Sequence, residues 1–363
     1  MGETWRVIDT GLRPAAENIA LNRAILEARQ AGEIPSTLRF LQFQPSALLG
    51  FHQSAEQELN LDYCRANGIA VQRRLTGGGA IYFDQGQIGW ELYLSRMDLG
   101  TADMQRISRR ICEAAARGIA ALGVEAAFRP RNDIEVNGRK ISGTGGAFDG
   151  DALMFQGTLL VEFDVERMLR VLRIPAEKLS DKALASARER VADLGELLGY
   201  TPGLGEVKRR LTKAFAREFN VRFAAGVLTP EENERYRTAL AEIDHPDWVN
   251  MLNRPAGDMP LLGAIQKFPG GLLRTDLAFD AAGRRVKQVW FSGDFFVHPK
   301  RAVADLEAWL RDTPLDALET RIEAFFQARE VDMMQLTATD FVTAVRAAVG
   351  SAPVGSASQG SGG

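Results

Sequence analysis

The chain has 363 residues, 45% of them hydrophobic and 25% charged, which is the balance of an ordinary globular protein of two or three domains. Its 44 Lys and Arg residues against 47 Asp and Glu residues give a net charge of −3, so it has no overall basic field for nucleic acid or an anionic membrane. Two cysteines and three scattered histidines form neither a disulfide framework nor the ligand spacing of a zinc site.

The N-terminal residues contain no apolar signal core, and no stretch approaches the roughly 18 apolar residues of a membrane span. We therefore expect a cytoplasmic monomer without a nucleic-acid or membrane partner. Apolar periodicity predicts a helix over Glu17–Gln30, strands over Thr37–Phe43 and Ile88–Ser95, and a long amphipathic helix over Ala102–Leu122 that ends at Gly123. Helices and strands mix without a regular βαβ alternation, which favours an α+β fold.

A second unit is predicted in the last third of the chain. Residues 244–260 are rich in Pro, Asn and Asp, which is typical of a domain boundary. Beyond it we expect strands over Gly271–Phe279 and Arg285–Phe291, followed by two or three helices. We therefore predict a larger domain over 1–252 and a smaller one over 258–349. Residues 350–363 are rich in Gly and Ser, and we interpret them as a disordered tail.

The strongest local motif is the segment Arg73-Arg74-Leu75-Thr76-Gly77-Gly78-Gly79-Ala80. Consecutive glycines are typical of backbone with positive φ or of backbone that closely approaches a ligand. Their N–H groups can form a nest for an anion and the two arginines add charge, so the motif fits a phosphate or an acyl phosphate. Taken alone, the segment fits a glycine-rich turn with a solvated arginine pair equally well. It is not a P-loop, because no Gly-Lys-Ser/Thr follows.

A second motif runs from Asn132 to Gly143 and contains Asn137-Gly138, the signature of a two-residue type I′ hairpin. That turn predicts the pairs Val136–Arg139, Glu135–Lys140 and Ile134–Ile141. Alternation then puts Ile134, Val136 and Ile141 on the core face, and Asp133, Glu135, Lys140 and Ser142 on the other. The second face is either a solvated ladder, which the segment alone favours, or a surface that aims a lysine into a cleft.

Two further segments carry weaker signals. Phe155–Val161 is predicted to be a buried strand, and Lys182–Leu194 contains several basic residues that by themselves indicate a solvated helix face. Cys64, on a predicted helix, and Cys112, in the long helix, fit small buried thiols better than nucleophiles.

In their order and approximate spacing, these four segments resemble the lipoate–protein ligase family over nearly the whole chain. Arg73–Ala80 resembles its R-R-x-x-G-G-G-A motif, and Asn132–Gly143 its N-D…G-x-K-x-S-G motif. Gly157–Leu160 matches its G-T-L-L strand, and Lys182–Leu194 its adenylate-binding loop, K-x-x-x-S-x-R-x-R-V-x-x-L. Residues 270–310 are similar to the accessory C-terminal domain of these ligases.

The resemblance implies a biotin/lipoate ligase-like catalytic domain in residues 1–252, with a mixed β-sheet flanked by helices, and a small α+β accessory domain in 258–349. It also implies two half-reactions. Lipoate and Mg-ATP give lipoyl-AMP and pyrophosphate, and a carrier lysine then attacks the mixed anhydride. The expected carrier is a lipoyl domain, the glycine-cleavage H protein or an H-like lipoate-binding protein.

The resemblance also assigns residues. It makes Lys140 the catalytic lysine, which binds the lipoate carboxylate and the α-phosphate. Asp133 would bind Mg²⁺ or orient the acceptor lysine, and Lys182 and Arg190 would close over the adenylate. The other residues expected to bind lipoate or ATP are Arg73, Arg74, Gly77, Gly78, Gly79, Ala80, Ile81, Tyr82, Gly157 and Thr158.

Some positions depart from the family pattern. Phe83 and Phe155-Gln156 stand where familiar ligases carry histidines, and the bulky aromatic residue expected shortly after His52 is absent. These positions lie near the expected acyl pocket and acceptor approach, so they bear on the acyl group and the carrier. An unusual H-like lipoate-binding carrier would fit them.

Three alternatives stay open. An octanoyl- or lipoyl-transferase of the same fold would act through a cysteine thioester without ATP, but residues 128–131, just upstream of the hairpin, contain no cysteine. A biotin ligase would need a G-R-G-R-x-G-R loop, which is missing. A non-catalytic lipoate- or carrier-binding protein would not need Lys140 or the Lys182–Arg190 segment.

Overall fold

The computed structural model describes residues 3–101, 103–130, 132–173, 181–252 and 261–351. These residues form two compact units. The first unit contains the described residues within Met1–Leu49, Ala55–Thr76 and Ala80–Met251, and the second contains those within Gly50–Ser54, Gly77–Gly79 and Leu252–Gly363. The predicted tail beyond Ser351 and residues 253–260 of the predicted boundary lie outside the described residues.

The strands of the first unit are β1 (Thr4–Arg13), β2 (Thr37–Phe43), β3 (Ser46–Leu49), β4 (Ala70–Arg73), β5 (Ile81–Phe83), β6 (Gln87–Ser95), β7 (Ala126–Arg129), β8 (Asp133–Val136), β9 (Arg139–Asp149), β10 (Ala152–Leu160) and β11 (Arg222–Ala225). Its helices are α1 (Ala15–Gln30), α2 (Ala55–Glu58), α3 (Leu61–Ala66), α4 (Arg96–Leu99), α5 (Met104–Ala120), α6 (Val165–Val171), α7 (Asp181–Arg188), α8 (Leu194–Leu198), α9 (Leu204–Phe219), α10 (Pro230–Ile243) and α11 (Pro246–Asn250).

A mixed sheet organises the described part of this unit, in the strand order β11-β1-β2-β6-β10-β9-β8-β7. β1 is parallel to β11 and β2, and the other neighbours are antiparallel. Helices α5 and α9 pack on one face and α1 and α10 on the other, while β4, β3 and β5 form a smaller sheet. This arrangement confirms the predicted α+β fold with a mixed sheet flanked by helices.

The central strand β6 shows how the sequence builds the sheet. Trp90 and Leu92 are fully buried in the core under α5 and α9, as their alternation predicts. Glu91 points the other way, yet it is also buried. Its carboxylate accepts hydrogen bonds from Arg39 at 3.0 Å and from the Tyr93 hydroxyl at 2.6 Å, which satisfies the buried charge.

Helix α5 is shorter than predicted. It begins after Asp103, whose carboxylate accepts hydrogen bonds from the amides of Gln105 and Arg106, and it ends at Ala120. Gly123 was predicted to cap the helix, but the C-cap is Ala121, two residues earlier. The φ of 109° at Gly123 instead serves the turn that follows. None of the described helices combines the length and the apolar character that crossing a bilayer requires.

The second unit contains β12 (Leu261–Phe268), β13 (Gly271–Asp280), β14 (Arg285–Gly293), β15 (Val297–His298), α12 (Ala302–Trp309), β16 (Thr313–Pro314), a 3-10 helix (Leu315–Ala317), α13 (Leu318–Gln327), β17 (Asp332–Met333) and α14 (Ala338–Val349). β12, β13, β14 and β16 form an antiparallel sheet. The predicted helices are present, and apolar side chains of α12 (Val303, Leu306) and α13 (Leu318, Ile322, Phe325) are buried in the core of the unit. Helix α14 begins at a capping box between Thr337 and Asp340. The half-exposed strand β12 was not predicted.

Candidate functional site

The β8–β9 hairpin carries the predicted catalytic lysine. Asn137 and Gly138 have φ angles of 51° and 76°, which are the two positive values a type I′ turn requires. The turn pairs Val136 with Arg139 and Glu135 with Lys140. The predicted turn type and these two pairs are confirmed.

A β-bulge changes the register beyond Lys140. Ile134 pairs with Ser142 and Asp133 with Gly143, so the predicted Ile134–Ile141 pair is wrong. The bulge adds one residue to β9, which lets Ile141 stay in the core and buries Ser142 as well. Ser142 was predicted on the face of Lys140. Gly143 takes that place instead, because a Cβ built on it would lie 2.9 Å from Lys140 Nζ.

Lys140 and Asp133 form an ion pair at the open side of the hairpin. Lys140 Nζ lies 2.6 Å from Asp133 Oδ1, and the two side chains are 40% and 25% exposed. The ammonium therefore combines one fixed anionic partner with access to solvent. Thr158 lies beside it, since its hydroxyl exchanges hydrogen bonds with the backbone of Gly143 at 3.3 and 3.4 Å. Lys140, Asp133 and Thr158 are thus the predicted site residues that the first unit brings together.

Gly157 is required by packing. A Cβ at this position of β10 would overlap the indole ring of Trp90, which is fully buried on the neighbouring strand. The glycine that begins the predicted G-T-L-L strand therefore admits a large core ring on one face and leaves Thr158 on the other.

The predicted adenylate-binding segment runs along the same hairpin. The carbonyl of Arg190 accepts a hydrogen bond from the Lys140 amide at 2.8 Å, and the Ala192 amide donates to the Lys140 carbonyl at 2.9 Å. Val191 accordingly forms a parallel bridge with Lys140. The Arg190 side chain is exposed. Lys182 lies in α7, and its side chain is outside the described part of the structure.

The two arginines of the glycine-rich motif are buried. Arg73 donates to the carbonyls of Trp248 and Val249 in α11 at 3.1 and 2.5 Å, and Arg74 donates to the Leu48 carbonyl at 2.8 Å. Burial lowers the pKa of each guanidinium to about 10, so both stay charged at neutral pH. These bonds give both arginines a structural role in the first unit.

Ala80, Ile81 and Tyr82 lead into β5 of the small sheet. Tyr82 is 2% exposed, and its hydroxyl donates to Asp84 at 2.9 Å. Burial, together with this hydrogen bond and the negative charge of Asp84, raises the pKa of Tyr82. The structure thus places Tyr82 in a packed cluster with Asp84.

Gly77, Gly78 and Gly79 belong to the second unit, where they contact the segment after β14. Gly78 has a φ of 92°, and its amide donates to the Phe295 carbonyl at 3.3 Å. A Cβ on Gly77 would overlap that same carbonyl. In this structure the glycines therefore let the backbone of Phe295 approach closely, and not a ligand.

Both cysteines are buried. Cys64 is 1% exposed and Cys112 is fully buried, with its Sγ 3.2 Å from the Thr144 hydroxyl. Burial raises the pKa of the Cys64 thiol and raises that of Cys112 to about 11. Neither thiol forms a thiolate readily at neutral pH.

Two positions that depart from the ligase pattern are also resolved. Phe83 is buried and packs 4.7 Å from the Phe43 ring, where it completes a core. Gln156 donates its side-chain amide to the Thr76 hydroxyl at 2.9 Å, which ties β10 to the start of the glycine-rich motif.

The family model of the lipoyl protein ligase A/B catalytic domain matches residues 14–216, more than half of the chain. The chain belongs to this family. Lipoate-protein ligase A subunit 1 of Thermoplasma acidophilum is 31% identical over 61% of this chain and 86% of its own length. Octanoyltransferase LipM of Moorella thermoacetica is 29% identical over 68% of this chain and 98% of its own length. The relatives therefore include both ligases and octanoyltransferases.

Solved structures of family members have the same fold. The bipartite lipoate protein ligase of Thermoplasma acidophilum, studied with its E2 lipoyl domain, gives a TM-score of 0.64 at 29% identity over 70% of this chain and 99% of its own. A lipoate-protein ligase A bound with ATP gives 0.60 at 26% identity over 69% and 98%. LipL1 of P. falciparum, in complex with lipoate, gives 0.71 over 95% of this chain and 99% of its own. At 18% identity it shows likeness of fold alone.

One residue of this candidate site was missing from the predicted set. Gly143 was part of the second motif but was not named as a site residue, although its lack of a side chain makes the space in which the Lys140 ammonium lies. A glycine inside a strand often marks a bulge or a close approach, and that was the available signal.

Metal ligands are sparse in the described residues, among which no group of three or more His, Cys, Asp and Glu side chains is placed to hold an ion. Mg²⁺ that arrives with a nucleotide is commonly bound through one or two protein carboxylates as well as phosphate oxygens. The single carboxylate of Asp133 fits that mode, and its assignment to Mg²⁺ stays a prediction.

Proposed function

We propose that the chain is an ATP-dependent lipoate–protein ligase. A carboxylate oxygen of lipoate attacks the α-phosphorus of ATP, the bond to the β-phosphate oxygen breaks, and pyrophosphate leaves. The amine of a carrier lysine then attacks the acyl carbonyl of lipoyl-AMP and loses a proton. An amide forms, and AMP leaves.

The observation that carries this proposal over a thioester transferase is the burial of both thiols. A transferase of this fold needs a cysteine that meets the acyl donor and ionises near neutral pH. The chain has two cysteines in all, and burial shields each of them and raises its pKa. Lys140 is accessible instead, and the chemistry its charge supports needs no sulfur.

Lys140 supports the first half-reaction by offsetting negative charge. A carboxylate that attacks a phosphate brings two anions together, and a positioned cation lowers the cost of that approach. The ammonium is held 2.6 Å from Asp133 in the absence of substrate. When the substrate anions draw it away, the Asp133 carboxylate becomes free to orient the incoming amine. Mg²⁺, when bound with the nucleotide, would add further positive charge.

The Arg190–Ala192 segment supports the same proposal. Its backbone is hydrogen bonded on both sides of Lys140, so a change in this segment is transmitted directly to the catalytic lysine. Closure of Lys182 and Arg190 over the adenylate would protect a mixed anhydride that water hydrolyses.

For the second half-reaction we propose a lipoyl domain, the glycine-cleavage H protein or an H-like lipoate-binding protein as acceptor. A Thermoplasma relative that has been studied with its E2 lipoyl domain supports a carrier of this kind, and a relative bound with ATP supports the nucleotide.

Replacing both cysteines distinguishes the ligase from the transferase. We expect Cys64→Ala/Cys112→Ala to ligate lipoate in the presence of ATP within about threefold of the wild-type rate, since neither sulfur takes part and Ala is tolerated where a small buried thiol stood. The measurement is lipoylation of a lipoyl domain, followed by mass spectrometry. The control is octanoyl-acyl carrier protein as donor without ATP. Cysteine-dependent transfer from that donor, with no ATP-dependent ligation, would replace the ligase with the transferase.

A further inference from the structure

Four charged side chains share the face of the sheet that carries the candidate site. They are Arg129 of β7, Asp133 and Glu135 of β8, and Lys140 of β9. On β7 the neighbouring Phe128 packs on the core that lies against the other face, so Arg129 points toward the site. The four charges sum to zero, and the position of each cation depends on which carboxylate it pairs with.

The strand register offers one set of ion pairs and the structure contains another. Arg129 lies directly opposite Asp133, and Glu135 lies directly opposite Lys140. The ion pairs instead run diagonally, from Arg129 to Glu135 at 2.5 Å and from Lys140 to Asp133 at 2.6 Å. Among the described residues neither cation has a second acidic partner. Long side chains reach both direct and diagonal neighbours, so the same four groups have two accessible arrangements.

The diagonal arrangement determines where the Lys140 ammonium lies. A Cβ on Gly143 would be 2.9 Å from Lys140 Nζ and 3.9 Å from the Thr158 hydroxyl, so the ammonium lies beside both residues. Glu135 is two residues from Asp133 along β8, which is about 7 Å. An ammonium that paired with Glu135 would therefore move several Å toward the hairpin turn and away from Thr158.

Arg129 keeps Glu135 from competing for the lysine. The Glu135 side chain is 17% exposed and its carboxylate accepts a hydrogen bond from Arg129, whose own side chain is 62% exposed. That hydrogen bond, the charge of Glu135 and the charge of Asp133 raise the pKa of Arg129, so the cation feels both carboxylates. Since an ion pair this exposed adds little to stability, its effect on Lys140 is the larger consequence.

We infer that Arg129 is a positioning residue for Lys140, because by holding Glu135 it leaves Asp133 to the ammonium. The inference rests on the proposed ligase function, in which Lys140 binds the lipoate carboxylate and the α-phosphate. Without Arg129 the enzyme divides between two arrangements, and the substrate selects the one with Lys140 on Asp133. Selection of this kind weakens apparent affinity by the competent fraction and leaves the rate at saturation unchanged.

The test is lipoate-dependent pyrophosphate exchange at a fixed, subsaturating ATP concentration in Arg129→Met, with Arg139→Met as the matched control. Arg139 belongs to the same hairpin and pairs with Glu196 at 2.7 Å, but it lies opposite Val136, whose side chain is on the core face. We expect the KM for lipoate to rise about fivefold in Arg129→Met, the factor by which an exposed ion pair can shift an equilibrium. The kcat should stay within about twofold, and the control should keep both values.

Two further variants isolate the charge. Arg129→Lys keeps a cation beside Glu135 and should bring the KM back to within about twofold of the wild-type value. Arg129→Met/Glu135→Gln removes the competing carboxylate and should have the same effect. Added salt should reduce the rise in the single variant, because it screens the competing charge. A purely structural role of Arg129 would produce none of this recovery.

A wild-type KM in Arg129→Met would overturn the inference. So would a raised KM that persists in Arg129→Met/Glu135→Gln, since Arg129 would then act on the substrate or on the fold and not through Glu135. An equal rise in Arg139→Met would also overturn it, by assigning the effect to the hairpin as a whole. Absence of exchange in the wild-type protein would contradict the proposed function, and the inference with it.

Discussion

The Lys140 ammonium lies where residue 143 has no side chain. The space is small, since a Cβ there would lie 2.9 Å from Nζ and 3.0 Å from Cε of Lys140. The contact is with the end of a flexible chain and not with backbone. A substitution at residue 143 therefore displaces the lysine before it disturbs the fold.

We expect Gly143→Ala to lower lipoate-dependent pyrophosphate exchange about 10- to 100-fold, because misplacing a catalytic group by about 1 Å has effects of that size. The free energy of unfolding should change by less than about 1 kcal/mol. Gly203→Ala is the matched control, as a Cβ there meets no atom within 4 Å. Exchange at the wild-type rate in Gly143→Ala would show that the position of the ammonium is not limiting.

Lys140 and Arg73 differ in exposure, which the sequence did not predict, since the Lys140 side chain is 40% exposed and Arg73 is fully buried. Both are cations in glycine-containing motifs, and the sequence predicted ligand binding for each. The donors of Arg73 reach Trp248 and Val249, which lie 175 and 176 residues later in the chain. Local sequence does not reveal such long-range carbonyl partners, so it cannot separate a structural arginine from a binding one.

At the scale of elements, the sequence predicted the turn of the β8–β9 hairpin but not its β-bulge. The turn follows from Asn137-Gly138, because few other pairs accept two positive φ angles. The bulge at Ile141–Ser142 depends on fitting Ile141 into the core while Gly143 faces Lys140. The bulge results from tertiary packing, which local sequence does not reveal. Strict alternation therefore placed Ser142 on the wrong face.

Helix α12 carries a half-buried titratable group in the second unit. Glu307 accepts a hydrogen bond from the Phe291 amide of β14 at 2.7 Å, and burial raises its pKa from 4.5 to about 7. The folded state therefore holds a proton that the unfolded state releases above pH 4.5. Stability from this group is fully present below that pH and is lost as the pH rises to about 7.

We expect the unit to lose about 1–2 kcal/mol of stability between about pH 5 and pH 7, allowing for partial exposure of the group. Glu307→Gln keeps the hydrogen-bond acceptor and should remove this dependence. Hydrogen exchange at the Phe291 amide measures this pH dependence of stability next to Glu307. The same pH dependence in the Gln variant would assign the effect to another group.

For the whole molecule, the order of four motifs identified a family that no single motif establishes, and the match over residues 14–216 confirms it. Composition and net charge gave no sign of a protein that binds nucleic acid or an anionic membrane. The net charge of −3 nevertheless does not reveal the net charge of +6 on helices α5 and α9. Charge asymmetry becomes visible only when the fold brings distant helices together. The fold also confirms the prediction that both thiols are buried.

The central claim is that this chain activates lipoate as its adenylate, and lipoate-dependent exchange of labelled pyrophosphate into ATP tests it most directly. Wild type, Lys140→Ala and the neighbouring control Arg139→Ala should be compared with lipoate, octanoate and biotin as acids. We predict exchange with lipoate that falls at least about 100-fold in Lys140→Ala and persists in Arg139→Ala. No exchange with any acid by folded wild-type protein would contradict the account.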